Sequence, residues 1–463
     1  MSSQDEDLLP SSGEDQPPPP WWSPSSAKDG PSSGSYAYHS RWQGGLTDAL
    51  ADAWRNGISL ALHRGYRPRS PVKLRGAGRF AVSSRIWVVA LGAAALAASC
   101  IFGCGGPGAG GPAATRPPVP AASADRGCTP RACISLRRLA SSIDTQLKGN
   151  VVGYVALVGQ SQVVASGLAR TAADPPRLAM GPDVMVNVAS VGKMFTTIVV
   201  LKSLARHHLS IDSRIWPFLP PDWVKGPGVD TITFRELLTH RAGFRLDSGR
   251  VFETDDAARE QVRQGIQQID KQVADYNNIN FTIFRDMLPF MEGVPDPGPA
   301  ARAAAATRFF ISYVQRQVFD PVGVKDATCA PVRDAMLMYP PPYAGTGPGS
   351  PSSVGPSGCS GGGWFMAPAS MRRVLDGLIS GSLLSGRQRQ QMDGNCLGWD
   401  CSGGGQAGYR GKEGGGGDPG SAGLQIFFGI LAGTIPVVIA TNSNTPPLPA
   451  VIQTALHAAT TTR

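Results

Sequence analysis

A serine and a lysine three residues apart, Ser190 and Lys193, are the pair in this sequence best placed for covalent chemistry. On a helix, residues i and i+3 share a face, so the hydroxyl and the amine can meet. A serine hydroxyl becomes a good nucleophile when a neighbouring base takes its proton, and a lysine amine serves when burial keeps it neutral. A helix N-terminus also offers backbone N–H groups to an oxyanion. The spacing is therefore compatible with acyl transfer at Ser190, and the alternative is an N-cap serine followed by an exposed lysine.

The residues that follow this pair predict the helix that must position it. Six apolar side chains leave the segment little polar surface: Met194, Phe195, Ile198, Val199, Leu201 and Leu204. A helix that is apolar on most sides belongs in a core rather than on a surface. We therefore expect the helix that begins around Ser190 to be buried.

Apolar and β-branched runs at both ends of the domain predict a sheet. After a predicted helix at 134–147, runs at 151–158 and 162–168 are separated by Gly159-Gln160-Ser161, which indicates a hairpin. Two more runs lie at 423–431 and 435–440, before a closing helix at 449–458. The pattern predicts an α+β fold in which one antiparallel sheet is built from both ends of the domain, with a helical insertion in the middle.

The segment 186–220, which contains Ser190 and Lys193, resembles the active-site helix of the serine β-lactamase and penicillin-binding protein family. Further resemblances follow in the family's order, at 232–244, 319–328, 361–366 and 378–384. Together they extend from about 151 to 444. The resemblance implies the β-lactamase/transpeptidase-like fold, an antiparallel sheet flanked by helices with an all-helical subdomain, and a serine hydrolase related to the class C β-lactamases.

The family's second element, Y-x-N, is matched by Tyr276-Asn277-Asn278. The resemblance implies that Tyr276 helps to transfer the proton and that Asn278 orients the substrate and the lysine. A phenol near a lysine ammonium has a lowered pKa, which makes a phenolate base reasonable. The alternative is a loop tyrosine beside turn-forming asparagines.

The family's third element is K-T-G or H-x-G on the strand beside the site, and its best match is Lys412-Glu413-Gly414. By family analogy, Lys412 supplies a positive field near Ser190, and Gly414 and Gly415 line the substrate site. The backbone N–H groups of Ser190 and Gly415 would form the oxyanion hole. The alternative is a glycine-rich loop, because an alignment through consecutive glycines can slide.

Glu413 stands where relatives usually carry Thr or Ser, which in penicillin-recognising members helps to bind the substrate carboxylate. A negative charge there would repel a carboxylate. We therefore expect reduced activity on β-lactams and on peptides ending in D-alanine, and an ester or amide substrate instead. Two alternatives stay open: a D-alanyl-D-alanine carboxypeptidase or β-lactamase, and a catalytically inactive binding or scaffold protein of the same fold.

A histidine-based mechanism is not favoured. His207, His208 and His240 could suggest a Ser/His/Asp triad, but no G-x-S-x-G elbow surrounds a serine. His240 falls in a segment that the family shares, so we expect a structural role. The cysteines lack zinc-site spacing, and we predict neither a metal nor an organic cofactor. The predicted partner is a small-molecule or peptide substrate.

The net charge of +9 on 463 residues does not indicate a nucleic-acid partner. The basic residues form no run beside aromatic residues, and no phosphate-binding G-x-x-x-x-G-K-[ST] loop occurs. Much of the charge lies between Arg55 and Arg85, where acidic residues are absent. A basic segment of this kind is typical of the cytoplasmic side of a membrane span.

Residues 86–103 form an uncharged apolar stretch directly after that segment. Its length is near the lower limit for a transmembrane helix, which rises about 1.5 Å per residue. We predict a disordered basic cytoplasmic region at 1–85, a transmembrane helix at 86–103, a Gly/Pro-rich linker at 104–127 and an extracytoplasmic hydrolase domain at 128–463. A buried helix, or a lipoprotein signal with Cys100 as the lipid acceptor, are the alternatives.

Six cysteines follow the predicted span, and they agree with an extracytoplasmic domain. Cys128 is close to Cys133 and Cys396 is close to Cys401 in the sequence, which leaves Cys329 and Cys359. Three disulfides could form from these residues. The alternative is that several of them are free thiols.

Overall fold

The computed structural model describes residues 125–128, 132–244, 254–268, 270, 274–352, 355–401, 409–417 and 421–462. The predicted N-terminal region 1–85, the predicted span 86–103 and nearly all of the predicted linker 104–127 lie outside these residues. Within the described part, no helix combines the length and apolar character that crossing a bilayer requires.

The strands of the described residues are β1 Arg126–Cys128, β2 Ala132–Ser135, β3 Gly153–Val158, β4 Gln162–Arg170, β5 Leu178–Ala179, β6 Val186–Asn187, β7 Phe365–Met366, β8 Tyr409–Gly416, β9 Leu424–Leu431, β10 Ile435–Thr441 and β11 Thr460–Thr462. Six of them form the largest sheet, in the order β5-β4-β3-β10-β9-β8, so that strands from the two ends of the domain pair in its centre. β1, β2 and β11 form a three-stranded sheet, and β6 pairs with β7.

The helices come mainly between β6 and β8 in the chain. They are α1 Leu136–Leu147, α2 Gly192–Arg206, α3 Phe234–Leu238, α4 Asp255–Gln264, α5 Ile279–Met291, α6 Pro299–Val314, α7 Pro368–Ser380, α8 Gly386–Gly394 and α9 Leu448–Ala459. The fold is therefore α+β, with an antiparallel sheet flanked by helices, as the sequence predicts.

Helices cover both faces of the central sheet. Tyr154 and Ala156 of β3 belong to a core that α1 and α9 complete on one face. Val155 and Leu157 face the other way, into the larger core that contains α2. A strand that is buried on both faces is apolar throughout rather than alternating, which explains the uninterrupted apolar run of β3. Consequently α2, which carries the site, packs on the face opposite the terminal helices.

The hairpin predicted at Gly159-Gln160-Ser161 is confirmed, since β3 pairs with β4 from Val158 and Gln162 back to Gly153 and Gly167. The helix predicted from residue 134 starts later. Ile134 and Ser135 belong to β2, and the hydroxyl of Ser135 accepts a hydrogen bond from the N–H of Arg138 at the start of α1. Ser and other short polar residues favour this N-cap position, where the backbone is extended.

Three disulfides join the six described cysteines, in agreement with the predicted possibility. Cys128–Cys133 links β1 to β2, Cys329–Cys359 links two loops, and Cys396–Cys401 closes a short loop before β8. The last of these loops contributes directly to the site.

Candidate active site

Ser190 lies in the 3₁₀ turn Ala189–Val191, which leads directly into α2. The preceding residue, Ala189, has a φ of 46°, a left-handed conformation that costs of order 1–3 kcal/mol for a residue other than glycine. Its N–H donates to the side-chain oxygen of Asn187 over 2.8 Å. The N–H of Val188 donates to the carbonyl oxygen of Trp364 over 2.8 Å. These bonds hold the turn and leave Ser190 partly exposed.

Lys193 follows one helical turn later, and its side chain is fully buried. Its Nζ donates to Oγ of Ser190 over 3.1 Å and to Oδ1 of Asn278 over 2.8 Å. It also donates to the carbonyl oxygen of Gly361. The amine is therefore fixed in place against the serine by acceptors from two other segments of the chain.

Tyr276 approaches Ser190 from the segment before α5, and its hydroxyl donates to Oγ of Ser190 over 2.6 Å. The ammonium groups of Lys193 and Lys412 lie 5.0 Å and 5.2 Å from the centre of its ring. Burial alone would raise the pKa of Tyr276, but the two positive charges and its hydrogen bonds outweigh burial and lower it. The phenol is thus prepared to give up its proton more readily than a free tyrosine.

Asn278 is the N-cap residue of α5, and its side-chain oxygen accepts the bond from Lys193. The neighbouring Asn277 is buried, and its Oδ1 accepts from the N–H of Ile279 over 2.9 Å, which orders the start of the helix. Asn280 begins a glycosylation sequon, but it is only 1% exposed. A glycan could not reach that side chain in the folded domain.

His240 packs against the phenol instead of against the nucleophile. Its ring stacks on that of Tyr276 with centroids 4.3 Å apart and an interplanar angle of 30°. Burial, together with the charges of Lys193 and Lys412, holds the pKa of His240 well below its usual 6.5. The ring is therefore neutral at physiological pH, and its stacking supports the structural role predicted for it.

Lys412 lies on β8, the edge strand of the central sheet, with its side chain buried. Its Nζ forms an ion pair with Oδ1 of Asp400. Burial would lower the pKa of Lys412, but the charge of Asp400, and to a smaller extent that of Tyr276, raises it above its usual value. Lys412 is therefore a stable cation above the ring of Tyr276.

Gly414 is required because β8 closely approaches the turn that carries Ser190, here called the nucleophile turn (188–191). A Cβ at this position would lie 2.3 Å from the carbonyl oxygen of Val188, 3.1 Å from Cβ of Ala189 and 3.2 Å from the nitrogen of Ser190. Any other residue would force the strand and the turn apart. The segment Lys412-Glu413-Gly414, matched to the family's third element, thus lies on a strand beside Ser190.

Gly415 is two residues beyond Glu413 on β8. The N–H of Glu413 points away from β9, because it donates to Oδ2 of Asp400 over 2.8 Å. Residues two apart on a strand direct their N–H groups to the same side. The N–H of Gly415 is therefore directed to the outer edge of the sheet.

Glu413 is largely enclosed beside two other charged groups. Burial and the negative charge of Asp400 raise the pKa of Glu413 to about 7, against the opposing effect of Lys412. A carboxyl group with this pKa is mixed between its acid and its anion at neutral pH. The negative charge expected at this position is therefore reduced at neutral pH and becomes complete only at higher pH.

The structure thus brings together Ser190, Lys193, Tyr276, Asn278 and Lys412, with Gly414 against the turn. Sequence analysis missed two participants, Asp400 and the carbonyl oxygen of Gly361. The only sequence signal for Asp400 is an acid within a short segment between two cysteines. A backbone carbonyl leaves no signal of its own, although Gly361 lies in a stretch that resembles the family.

A side-chain hydroxyl that contacts an amine and a phenol can attack an acyl carbon while its proton moves to either neighbour. The surrounding cations favour the negative charge that develops in such a reaction. The arrangement fits nucleophilic acyl transfer and contains the parts that the sequence motifs predict.

Comparison with known proteins identifies the family and the fold. A family model described as Beta-lactamase matches residues 139–461. No curated protein matches the sequence. The fold is similar to that of a class C β-lactamase from Rhodobacter sphaeroides, at 16% identity and a TM-score of 0.52, over 69% of this chain and 98% of that chain.

Two further solved structures have a fold similar to that of this chain. A β-lactamase/D-alanine carboxypeptidase from Yersinia pestis is 16% identical with a TM-score of 0.52, over 69% of this chain and 97% of that chain. A D-stereospecific amidohydrolase from a Streptomyces species is 16% identical with a TM-score of 0.51, over the same shares of the two chains, 69% and 97%. At these identities the likeness establishes the fold.

Proposed function

We propose that this chain, which belongs to the β-lactamase family, is a serine hydrolase that forms an acyl-enzyme on an ester or amide substrate. The family is of the serine acyl-transfer type. The observation that carries the proposal is the position of Ser190, whose hydroxyl oxygen lies 3.1 Å from the amine of Lys193 and 2.6 Å from the phenol of Tyr276. Such contacts are what activation of a serine nucleophile requires.

In the first half of the reaction, Oγ of Ser190 attacks the substrate carbonyl carbon as its proton passes to the phenolate form of Tyr276 or to the neutral amine form of Lys193. The carbonyl oxygen becomes an oxyanion, which the N–H groups of Ser190 and Gly415 would stabilise. Collapse of this intermediate breaks the bond to the leaving group. The leaving group takes the proton that the serine released, and an ester to Ser190 remains.

In the second half, water replaces the leaving group. The same base, deprotonated after it gave its proton to the leaving group, accepts a proton from the water as the water oxygen attacks the ester carbonyl. The same N–H groups would hold the new oxyanion. Collapse returns the proton to Oγ of Ser190 and releases the acid. Asn278 would hold both Lys193 and the substrate in register, and Lys412 would supply a constant positive field.

The proposed substrate class rests on Glu413. An enclosed carboxyl group near Lys412 reduces the attraction of β8 for a substrate carboxylate, most strongly above a pH of about 7, where Glu413 is anionic. We favour an ester or amide without a carboxylate at that position over a β-lactam or a peptide ending in D-alanine. The carboxypeptidase and β-lactamase activities named for the Yersinia pestis relative are the second candidate.

We further propose that residues 86–103 anchor the enzyme in a membrane, with the N-terminus in the cytoplasm and the hydrolase domain outside. The support is the uncharged apolar sequence after a basic segment. The three disulfides of the described residues are consistent with an oxidising compartment. Protease protection of the two sides of the membrane in spheroplasts tests the orientation.

A fluorophosphonate probe, which reacts with activated serines, tests the proposed activity. The full-length chain should be labelled, and mass spectrometry should place the label on Ser190. Ser190→Ala should abolish labelling, whereas Ser161→Ala, at an exposed serine in the β3–β4 hairpin, should not change it. Absence of labelling in folded, unsubstituted protein would favour a binding or scaffold role.

The same preparation identifies the substrate class. Rates are compared on p-nitrophenyl acetate, a D-amino-acid amide and a chromogenic cephalosporin. We expect turnover of the ester or the amide to exceed that of the cephalosporin. The reverse order would support the carboxypeptidase and β-lactamase alternative.

A further inference from the structure

Lys412 is a cation in a place where a cation is costly. Its side chain is 2% exposed, whereas that of its partner Asp400 is 31% exposed. A buried ammonium that loses its counter-charge is strongly destabilised. The charge of Lys412, and therefore its field at Tyr276, depends on Asp400.

Asp400 contacts β8 at three points along its outer edge. Its Oδ1 accepts from Nζ of Lys412, its Oδ2 accepts from the N–H of Glu413 over 2.8 Å, and its own N–H donates to the carbonyl oxygen of Gly411 over 2.9 Å. One residue thus fixes both the backbone of β8 and the direction of its lysine. These contacts occupy the strand edge at residues 411–413, directly before Gly414.

The loop that carries Asp400 is held from the other side as well. The disulfide Cys396–Cys401 closes it, and the N–H of Gly398 donates to the carbonyl oxygen of Leu238 over 2.9 Å. Trp399 is 5% exposed, and its indole N–H donates to Asp393 over 3.0 Å. Asp400 is therefore presented to β8 by a rigid support instead of by a free loop.

We propose that Asp400 is a positioning residue for acyl transfer at Ser190, acting through Lys412 on Tyr276, and that the Cys396–Cys401 loop exists to present it. The inference rests on the proposed function. Asp400 touches neither Ser190 nor Tyr276 in the hydrogen bonds and ion pairs of the described residues, and its effect passes through the ammonium of Lys412.

The reaction at Ser190 should depend on pH through the charge of Lys412. Among the described residues, the ionisable groups around Lys412 include Asp400 from the loop, Tyr276 and His240 from across the site, and Glu413 from its own strand. Lys193 lies over the same Tyr276 ring. Asp400 makes the largest contribution that keeps Lys412 charged. The ammonium is present below its pKa and is lost as the pH rises through it. Without Asp400, Lys412 loses its proton at lower pH. The decrease in activity on the alkaline side should therefore begin at lower pH.

The test uses the full-length chain and the rate of fluorophosphonate labelling at Ser190. The labelling rate is compared at about pH 7.5 and about pH 9.5. The fold decrease between these pH values should be about ten times larger for Asp400→Asn than for the unsubstituted chain. Asp400→Glu keeps the charge and should recover most of the rate at high pH. Asp393→Asn removes a carboxylate that supports the same loop without contacting Lys412, and should leave the alkaline limb in place.

Each outcome decides between the two proposals. If the unsubstituted chain is not labelled, the proposed function fails, and this inference fails with it. If labelling is normal but Asp400→Asn keeps the unsubstituted pH profile, only the role of Asp400 is refuted. An equal effect of Asp393→Asn, or no recovery in Asp400→Glu, would show that loop structure matters and the charge does not. If Asp400→Asn does not fold, Asp400→Glu still tests the inference, because a labelling rate lost at high pH in this folded variant that keeps the charge would refute it.

Discussion

The phenolic oxygen of Tyr276 and the hydroxyl oxygen of Ser190 lie 2.6 Å apart, although 86 residues separate them in the chain. The contact joins the segment before α5 to the turn before α2. Because the phenol donates to the serine here, the serine oxygen has the phenol on one side and the amine of Lys193 on another. Both neighbours are available for proton transfer.

Replacing the phenol tests its role in the reaction. Tyr276→Phe keeps the ring but removes the proton carrier, so kcat/KM for p-nitrophenyl acetate should fall by about 10²–10⁴-fold. Tyr313→Phe, at a tyrosine that bonds to Glu292, is the matched control and should keep its activity. A loss of less than about threefold in Tyr276→Phe would mean that Lys193 alone manages the proton.

The lowered pKa of Tyr276 predicts the acid side of the pH profile. A phenolate base is present above its pKa and is lost as the pH falls through it. The value of kcat/KM should therefore rise with pH along a limb that lies below 10, the usual pKa of a phenol. The residual activity of Tyr276→Phe should lack this limb, and its persistence would assign the limb to another group.

His240 predicts a pH dependence of stability. Its pKa is low in the folded domain, so as the pH falls below about 6.5 the unfolded chain takes up a proton that the folded domain does not. The free energy of unfolding therefore has no cost from His240 above that pH and decreases below it, by at most about 1.4 kcal/mol per pH unit. Between about pH 7.5 and about pH 5.5, the melting temperature of His240→Gln should drop less than that of the unsubstituted protein.

The exposed His457 provides the control for that measurement. His457→Gln should show the same pH dependence as the unsubstituted protein. An unchanged slope in His240→Gln would mean that other groups dominate acid destabilisation. Glu413 titrates in the same range, but it is present in all three proteins and cancels in the comparison.

The close approach of β8 to the nucleophile turn makes Gly414 sensitive to a single methyl group. Gly414→Ala would place a carbon 2.3 Å from the carbonyl oxygen of Val188. Relief of this overlap separates the strand from Ser190, and a misplacement of about 1 Å can cost about 10²-fold in rate. Esterase activity and circular dichroism of the variant measure the effect.

Gly386, at the start of α8, is the control for that substitution, because a Cβ there would meet no atom within 4 Å. Gly386→Ala should keep full activity and should not lower the melting temperature. If Gly414→Ala keeps more than half of the activity, the strand can adjust without disturbing the site, and the alignment of the third element loses its support.

Glu413 predicts how the chain responds to a penicillin. Its pKa of about 7 means that the carboxylate forms as the pH rises through neutrality. Acylation of Ser190 by benzylpenicillin should be slow and should slow further above that pH, whereas Glu413→Thr should acylate about tenfold faster at about pH 8. Mass spectrometry of the acyl-enzyme gives the rates. Fast acylation of the unsubstituted chain would refute the selectivity argument.

The features that could be predicted from the sequence are mainly those determined by residues close together in the chain. Ser190 and Lys193 are joined by helical spacing, and the hairpin at Gly159 is fixed by a local turn. Apolar runs at both ends of the domain predicted one shared sheet, and β3 and β10 pair in its centre. Motif order then placed Tyr276 and Lys412, since the resemblance supplied information that periodicity does not contain.

The features that sequence could not predict depend on contacts between distant segments. Asp400 pairs with Lys412 only because the disulfide-closed loop passes along the edge of β8. The pairing of β11 with β2 joins short strands near the two ends of the described chain. Short strands with few apolar residues carry little periodicity, so this sheet left no recognisable pattern.

The three-stranded sheet of β1, β2 and β11 has a practical consequence for handling the enzyme. It belongs with α1 and α9, on the face of the central sheet that is turned away from α2. A bead, a dye or a fused carrier protein attached next to either β1 or β11 would therefore sit behind the catalytic machinery. Immobilised reactors and affinity supports should accept substrate as freely as enzyme in solution does.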